Sequence, residues 1–199
     1  QAVVELAGAS PGERWWDACA GAGGKSLGLA RRIAPEGAVL STDRRRRALG
    51  ELTDRARRTG VSGIRCATLD AERAVPADGP FDGVLVDAPC SGAGTWGRHP
   101  DARWRADGDR LPDFARRQAA LLHSAARAVR EGGVLVYAVC TLTSIETLDV
   151  VRDFLDRHSA FRLDPVPHPL RGGETGGRIW ILPSDGPCIG MFAARFRRA

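Results

Sequence analysis

Two of the five cysteines in this chain stand in surroundings that could support covalent chemistry. Cys90 lies in the block Asp-Ala-Pro-Cys-Ser-Gly-Ala-Gly, and Cys140 ends the apolar run Val-Leu-Val-Tyr-Ala-Val-Cys. A buried free cysteine is often only a small hydrophobic residue. We interpret the other three in that way: Cys19, Cys66 and Cys188. Cys90 and Cys140 differ because each follows a predicted strand, at the end where a parallel sheet places its ligands.

A glycine-rich turn over 17–26 reads Asp-Ala-Cys-Ala-Gly-Ala-Gly-Gly-Lys-Ser. Glycines there let the backbone approach a ligand closely and present amide N–H groups at the start of a helix. A P-loop ending at Ser26 would need glycine in place of Cys19, and a dinucleotide fingerprint starting at Gly21 would need a glycine-like residue at position 26. The turn therefore suits a nucleoside whose tail is not a phosphate.

Two acids follow the next two predicted strands and extend this pattern. Asp43 stands 19 residues beyond Gly24, where a carboxylate can accept hydrogen bonds from both ribose hydroxyls. Asp70 is placed to meet the edge of an adenine. Either acid alone is more often a helix cap or a loop residue. As an ordered series at successive strand ends, the turn and the two acids indicate S-adenosylmethionine as the cofactor.

One lysine accompanies the glycine-rich turn. Lys25 is the single lysine among 29 basic residues. A compact ammonium group in a turn where a planar guanidinium would fit poorly indicates a functional role. Because the carboxyl ends of adjacent strands share one edge of a sheet, we expect Lys25 and Asp87 to lie in the same cleft as Cys90 and Cys140.

The position of Cys90 indicates which atom of a base would react. Methyltransferases that act on amino groups carry an aromatic residue at this strand end, where it stacks on a flipped base. A thiol there favours chemistry at a ring carbon instead. Carbon 5 of a pyrimidine becomes nucleophilic only after another group adds to carbon 6, and a thiolate is the usual agent. Such a thiolate needs positive charge nearby to lower its pKa.

Short Val-, Leu- and Ile-rich runs alternate with amphipathic stretches and predict strands joined by helices. The predicted strands cover residues 15–19, 38–42, 64–68, 83–87, 134–139 and 191–196. Helices are predicted to begin near Gly24, Arg45, Leu111 and Ile145. This alternation is typical of an α/β fold with a doubly wound, mostly parallel, Rossmann-like sheet. The Pro- and Gly-rich stretch 165–190 predicts a long irregular connection.

Composition bounds the class of protein. The 199 residues are 43% hydrophobic and 27% charged, with a net charge of +5. These values predict a single domain over 1–199 and exclude a disordered chain. Apolar runs are too short for a membrane span and no secretory signal is recognisable, so we expect cytoplasmic localisation. The cysteine spacings include no Cys-x-x-Cys, which argues against a disulfide framework and a metal site.

These motifs together resemble the catalytic domain of the Sun-type (RsmB-like) RNA cytosine-5 methyltransferases. The matching positions are 1–5, 17–25, 43, 70, 87–94, 98–101, 104, 118, 137–140, 182–186 and 192. The match covers nearly the whole chain, and its most specific part is the combination of the Asp-Ala-Pro-Cys block with a second cysteine at a strand end. The resemblance implies an S-adenosylmethionine-dependent enzyme that makes 5-methylcytosine in rRNA or tRNA.

The resemblance also implies a role for each matched residue. Cys140 would attack carbon 6 of the cytosine, Asp87 would hydrogen-bond the base near ring nitrogen 3, and Lys25 would help to hold it. Cys90 would assist removal of the carbon 5 proton and release of the enzyme. The residues that would hold the cofactor are Cys19, Ala20, Gly21, Ala22, Gly23, Gly24, Lys25, Asp43, Asp70 and Asp87.

The chain departs from the family pattern mainly where RNA would be positioned. Val139 stands where the family usually has Thr, and only Glu146 keeps the family's Glu-Glu-Asn-Glu pattern after the second cysteine. The chain begins at Gln1 rather than Met, which we interpret as a piece of a longer protein without the family's amino-terminal RNA-binding extension. Arg98 and His99, with the arginines near position 43, are then the expected RNA contacts.

We therefore predict a monomeric RNA methyltransferase that binds S-adenosylmethionine and RNA, without a metal or a membrane partner. The alternative is a non-catalytic RNA- or cofactor-binding module derived from the same fold. Such a module would have little reason to keep Lys25 and two cysteines at strand ends. A methyltransferase for small molecules or proteins would lack the paired cysteines.

Overall fold

The computed structural model describes residues 1–105 and 107–199, in which helices and strands alternate along the chain. In chain order these elements are α1 (Ala2–Ala7), β1 (Arg14–Asp17), α2 (Gly24–Ile33), β2 (Ala38–Asp43), α3 (Arg46–Thr59), β3 (Ile64–Thr68), β4 (Phe81–Asp87), α4 (Leu111–Ala126), β5 (Val129–Val139), α5 (Leu148–Arg157), β6 (Phe161–Leu163), β7 (Arg178–Ile181) and β8 (Met191–Arg198). Short 3-10 turns, such as Ser144–Glu146, connect several of them.

The strands of the described residues form one eight-stranded sheet in the order β3-β2-β1-β4-β5-β8-β6, with β7 also paired to β8. Strands β1 to β5 pair in parallel, and β8 runs antiparallel to β5. The strand order reverses between β1 and β4, and such a sheet binds its ligands in the crevice at that point. The predicted α/β fold with a doubly wound, mostly parallel sheet is confirmed.

Both faces of the sheet are covered by helices. Trp15 and Trp16 are neighbours on β1, so their side chains point to opposite faces, and both are buried. Trp16 belongs to the core that includes Leu122 of α4 and Phe154 of α5. Trp15 belongs to the second core, with Leu29 of α2 and residues of α1. A sheet buried on both sides explains why its central strands read as nearly continuous apolar runs.

The structure corrects several predicted boundaries. Residues 165–190 are not wholly irregular, because β7 lies within them and buries Ile179 and Ile181 on alternate positions. The glycines and prolines around this four-residue strand conceal its alternation in the sequence. The first strand ends at Asp17 rather than at position 19, because the chain turns there. Helix α1 and strand β6 were not predicted, and both are short.

Two searches of the described residues bear on membranes and metals. Among the helices found there, none combines the length and the apolar character that crossing a bilayer requires. In the same residues, no cluster of three or more His, Cys, Asp or Glu side chains is arranged to hold a metal ion.

Candidate active site

A cavity of about 520 Å³ lies at the carboxyl ends of β1, β2 and β4. This volume is within the range of roughly 300–1,000 Å³ that small-molecule sites occupy. The cavity is lined by all of the predicted cofactor residues except Gly23: Cys19, Ala20, Gly21, Ala22, Gly24, Lys25, Asp43, Asp70 and Asp87. Gly23 has a φ of +83°, and a Cβ atom there would lie 2.4 Å from Cγ of Leu52. Glycine at this position thus lets α3 pack against the turn.

Asp43 joins the end of β2 to the glycine-rich turn. Its Oδ2 accepts a hydrogen bond of 2.9 Å from the Gly21 N–H, and its Oδ1 accepts one of 2.8 Å from the Arg45 N–H. Burial by itself would raise the pKa of Asp43, but hydrogen bonds from Arg45 and Gly21 outweigh it and lower that pKa. Asp43 is therefore an ionised acceptor in the cavity wall.

Asp17 lies at the end of β1 and is fully buried beneath the turn. Its Oδ2 accepts a hydrogen bond of 2.6 Å from the Ser26 hydroxyl. Its Oδ1 is buried and has no hydrogen-bond partner among the described residues. Burial raises the pKa of Asp17 to about 6, although the Ser26 hydrogen bond acts in the opposite direction. Burial therefore holds the pKa of Asp17 well above the usual range of an aspartate.

Lys25 and Asp87 meet at the edge of the cavity, as the sequence predicts. The Lys25 Nζ atom, in the first turn of α2, lies 2.5 Å from Oδ2 of Asp87 at the end of β4. The two side chains are 21% and 33% exposed, so the ion pair is half-buried and open to a ligand. Ammonium and carboxylate can both hydrogen-bond the edge of a base.

Cys90 and Cys140 come together because β4 and β5 are parallel neighbours. Their Sγ atoms lie 3.2 Å apart, and either thiol could be the donor in the resulting hydrogen bond. This hydrogen bond lowers the pKa of Cys140 and raises the pKa of Cys90, and burial raises the pKa of Cys90 further. The Lys25 ammonium also acts to lower the pKa of Cys140, whereas the Asp87 carboxylate opposes it. Cys140 is therefore the better thiolate.

Backbone contacts hold the Cys90 loop against the end of β5. The Gly94 N–H donates to the carbonyl of Cys140 at 3.0 Å, and the Gly190 N–H donates to the carbonyl of Gly94 at 2.8 Å. A Cβ atom on Gly94 would lie 2.0 Å from the Gly190 oxygen. This close approach requires glycine at position 94.

Residues 5–197 match the family described as 16S rRNA methyltransferase RsmB/F. The chain belongs to this family. The RsmB/F family is one of S-adenosylmethionine-dependent methyltransferases, which is the class that the glycine-rich turn and the acids predict. The resemblance inferred from the sequence is confirmed.

Curated relatives in the RsmB/F family cover almost all of this chain. The ribosomal RNA small subunit methyltransferase B of Thermus thermophilus is 42% identical over 198 residues, which are 98% of this chain and 48% of the relative. The probable ribosomal RNA small subunit methyltransferase B of Bacillus subtilis is 34% identical over 189 residues, 92% of this chain and 42% of the relative. The chain thus spans about half the length of these relatives.

Solved structures have the same architecture. The crystal structure of PH0851 superposes with a TM-score of 0.91 at 33% identity, over 99% of this chain and 45% of that one. NSun6 from Pyrococcus horikoshii, solved with SFG, gives a TM-score of 0.86 at 23% identity over 99% of this chain and 50% of the other. At that identity the second likeness shows the fold alone.

Arg98 and His99, two of the expected RNA contacts, lie apart from the cofactor cavity, whereas Arg44 and Arg45 line it. Arg98 and His99 are exposed on the turn that follows the 3-10 turn Ala93–Thr95, and neither lines the cavity. Their backbone N–H groups donate to the carbonyl of Thr95 at 2.8 and 3.0 Å. Exposed basic side chains on the chain that follows Cys90 are available to an anionic ligand.

Sequence reasoning missed several residues that shape the RsmB/F site. Glu72 lines the cavity and accepts hydrogen bonds from Arg117 of α4 at 3.0 and 2.8 Å. Glu146 and Gln118 are fully buried and hydrogen-bonded to each other beside the cysteines. The family pattern includes both, but their spacing does not reveal a contact. The family pattern was the signal available for Glu146.

Proposed function

We propose that this chain is a catalytic domain, over residues 1–199, that transfers a methyl group from S-adenosylmethionine to carbon 5 of cytosine in small-subunit ribosomal RNA. The observation that carries the proposal is the pair of thiols 3.2 Å apart, whose pKa values are displaced in opposite directions. One nucleophile and one proton carrier are what addition to carbon 6 and loss of a proton from carbon 5 require.

The cavity fits the proposed cofactor. Asp43 is ionised and can accept hydrogen bonds from ribose hydroxyls, and Asp70 lies on the same wall for the adenine edge. The single lysine is paired with Asp87 rather than free to bind a phosphate. S-adenosylmethionine supplies the methyl group when bound. NSun6, which shares this fold, was crystallised with SFG, an analogue of S-adenosylmethionine.

The first step is attack by Cys140. Its thiolate is stabilised by a hydrogen bond from Cys90 and by the Lys25 ammonium, so it can add to carbon 6 of a cytosine at the mouth of the cleft. The Lys25–Asp87 pair gives a proton to ring nitrogen 3 as Cys140 adds and takes it back when Cys140 leaves. Asp87 then accepts the hydrogen bond of the new N–H, and Lys25 helps to hold the base. The electron pair released into the ring makes carbon 5 nucleophilic.

Release follows from the change in charge on Cys140. Once its sulfur is bonded to carbon 6 it carries no charge, so the interaction that chiefly raises the pKa of Cys90 disappears. Cys90 can then give its own proton to water and, as a thiolate, accept the proton of carbon 5. The bond between Cys140 and carbon 6 breaks, and its electron pair returns to the sulfur as the aromatic double bond reforms.

Several supporting roles belong to the same proposal. Arg98 and His99 contact phosphates of the RNA, and the protein acts in the cytoplasm as a monomer. The relatives named as ribosomal RNA small subunit methyltransferases favour ribosomal RNA over tRNA as the substrate.

The test is transfer of a tritiated methyl group from S-adenosylmethionine to unmodified 16S rRNA and to tRNA, followed by digestion to nucleosides. We expect label in 5-methylcytosine from 16S rRNA. When 5-fluorocytidine replaces cytidine in the RNA, no labelled 5-methylcytosine should be released, because the fluorine at carbon 5 cannot leave as a proton does and the protein stays bonded to the RNA. Label in an N-methylated base or a ribose would contradict the proposal. Cofactor binding without transfer to either RNA would favour the non-catalytic alternative.

A further inference from the structure

Glu146 is a fully buried carboxylate outside the cofactor cavity. It ends the 3-10 turn Ser144–Glu146, between Cys140 and α5, and its side chain is 0% exposed. A buried charge is costly unless it is paired or fully hydrogen-bonded. In the described residues, no Lys, Arg or His side chain forms an ion pair with it.

Four hydrogen bonds satisfy the two carboxylate oxygens instead. Oε1 accepts from the Ser91 N–H at 2.8 Å and from the Gln118 side chain at 3.0 Å. Oε2 accepts from the Ser91 hydroxyl at 2.5 Å and from the Thr143 hydroxyl at 2.9 Å. A carboxylate can accept about four such bonds, so the ionised form fits this site.

These hydrogen bonds connect the two loops that carry the cysteines. Ser91 follows Cys90 directly, whereas Thr143 lies three residues after Cys140. The Ser91 hydroxyl also lies 3.0 Å from the hydroxyl of Thr141, and Gln118 donates to the carbonyl of Pro89 at 3.0 Å. The Cys90 loop is therefore held on both sides of the thiol by groups that Glu146 anchors.

The charge of Glu146 also acts on the thiols. Its field raises the pKa of Cys90, after the larger effects of Cys140 and of burial. Negative charge near Cys90 favours a protonated Cys90, which in turn donates its hydrogen bond to Cys140. The hydrogen bonds of Glu146 and its charge therefore both favour a protonated Cys90 that donates to Cys140.

We propose that Glu146 is a positioning residue, which sets the separation of Cys90 and Cys140 and keeps the negative charge of the pair on Cys140. This inference rests on the proposed function, because it gives one thiol the role of nucleophile. Glu146 acts through its hydrogen bonds and its field, and does not itself touch the base.

The test compares Glu146→Ala and Glu146→Gln with the wild type. The amide of the Gln variant can still accept from the Ser91 N–H and donate to the hydroxyls, so this variant removes the charge and keeps the spacing. The Ala variant removes both. Phe154→Leu is the matched control, because the buried Phe154 ring packs on His158, Phe161 and Phe196, and its loss destabilises the fold without removing a hydrogen bond of Glu146.

The first readout needs no RNA. The chain is treated with iodoacetamide across a pH series, and peptide mass spectrometry gives separate rates for the two thiols. In the wild type we expect Cys140 to react faster. In Glu146→Ala the ratio of the Cys140 rate to the Cys90 rate should fall by about tenfold, the scale of a lost charge-assisted hydrogen-bond network. Glu146→Gln should show a smaller fall in the same direction.

The second readout is methyl transfer. Glu146→Ala should lower kcat by about tenfold or more and leave KM for S-adenosylmethionine unchanged, because Glu146 does not line the cofactor cavity. Phe154→Leu should keep both the alkylation ratio and kcat at temperatures where it is folded. An unchanged ratio in Glu146→Ala, or an equal loss in Phe154→Leu, would overturn the inference.

Further variants keep the inference and the proposed function distinguishable. If Glu146→Ala does not fold, Glu146→Gln and Ser91→Ala carry the test, and unchanged alkylation ratios in both would overturn the inference. If the ratio depends on Glu146 but the wild type forms no 5-methylcytosine, the positioning of the thiols stands and the proposed function fails. If 5-methylcytosine forms and the alkylation ratio of the two thiols does not depend on Glu146, the inference alone fails.

Discussion

The cofactor cavity and the connection between β4 and α4 are built in opposite ways. The cavity is formed by the ends of parallel strands, and its acids Asp17 and Asp43 are buried. The connection, described over residues 93–105 and 107–110, consists largely of short 3-10 turns, and Trp104 within it is 85% exposed.

The difference shows which contacts have to be rigid. Strand ends hold their side chains at separations that the sheet sets, which suits a cofactor whose methyl group must be aimed at one atom. A connection with few buried side chains opens locally at a low cost in free energy, so it can adapt to a flexible, single-stranded ligand. Arg103 lies 6.0 Å from the Trp104 ring, so this connection combines positive charge with an aromatic surface.

The largest expected effect concerns the thiols that lie between the two regions. Cys140→Ala should lower methyl transfer on the order of a thousandfold or more, because no adduct can form. Cys90→Ala should form an adduct that persists on denaturing electrophoresis. Calorimetry should give a wild-type affinity for the cofactor in both variants, and filter binding should give a wild-type affinity for RNA in Cys140→Ala, which forms no adduct. Accumulation of the adduct in Cys140→Ala would show that the two roles are reversed.

The second effect tests the buried acid of the cavity. The folded chain holds the Asp17 proton up to a pKa of about 6, whereas the unfolded chain releases it near 3.8. The free energy of unfolding should therefore fall as the pH rises through this window, by on the order of 2–3 kcal/mol. Asp17→Asn lacks this titration, so it should gain stability over the wild type between pH 4 and pH 7.

Urea denaturation at several pH values measures this difference. Ser26→Ala serves as a second variant, because losing the Ser26 hydrogen bond removes an interaction that lowers the pKa of Asp17. The fall in stability should then extend to higher pH. Parallel stability curves for the wild type and Asp17→Asn would show that Asp17 does not titrate in this range.

The third effect is specific to the cavity. Asp43→Ala would remove the two proposed hydrogen bonds to the ribose, worth about 1–3 kcal/mol together, so affinity for S-adenosylmethionine should fall by roughly five- to 150-fold. RNA affinity should not change. Asp54→Asn on α3 is the control, because it removes an exposed carboxylate that pairs with Arg57 instead of lining the cavity. Calorimetric titration gives both values, and equal affinities for wild type and Asp43→Ala would remove Asp43 from the site.

The smallest effect is expected in the exposed connection. Stacking of one base on an aromatic side chain is worth about 1–3 kcal/mol, and we expect about 1 kcal/mol for a side chain as exposed as Trp104. Trp104→Ala should therefore weaken RNA binding by roughly fivefold and leave cofactor affinity unchanged. Leu170→Ala is the control, since Leu170 is also an exposed apolar residue. Filter binding at several salt concentrations measures the effect. A loss of cofactor affinity in Trp104→Ala would contradict the separation of the two regions.

Much of the cavity could be predicted because its signals are local. The glycine-rich turn, Asp43 and Asp70 each follow a predicted strand, and parallel strands bring such ends to one edge. The same reasoning brought Cys90 and Cys140 together. Reasoning from the sequence failed for β7, because a strand of four residues is too short for its alternation of buried and less buried side chains to be recognised.

The sequence by itself determined the class of the fold, the composition of the turn and the presence of two cysteines at strand ends. The family resemblance implied that Cys140 is the nucleophile, but only the tertiary structure gave a physical reason, because the pKa values of the two thiols depend on a 3.2 Å contact between residues 50 positions apart. Tertiary structure also decided the place of Glu146, whose hydrogen bonds to Ser91 span 55 positions. Periodicity and turn signals report a residue's neighbours along the chain, whereas the field at a buried thiol is set by groups that only folding brings within hydrogen-bond distance.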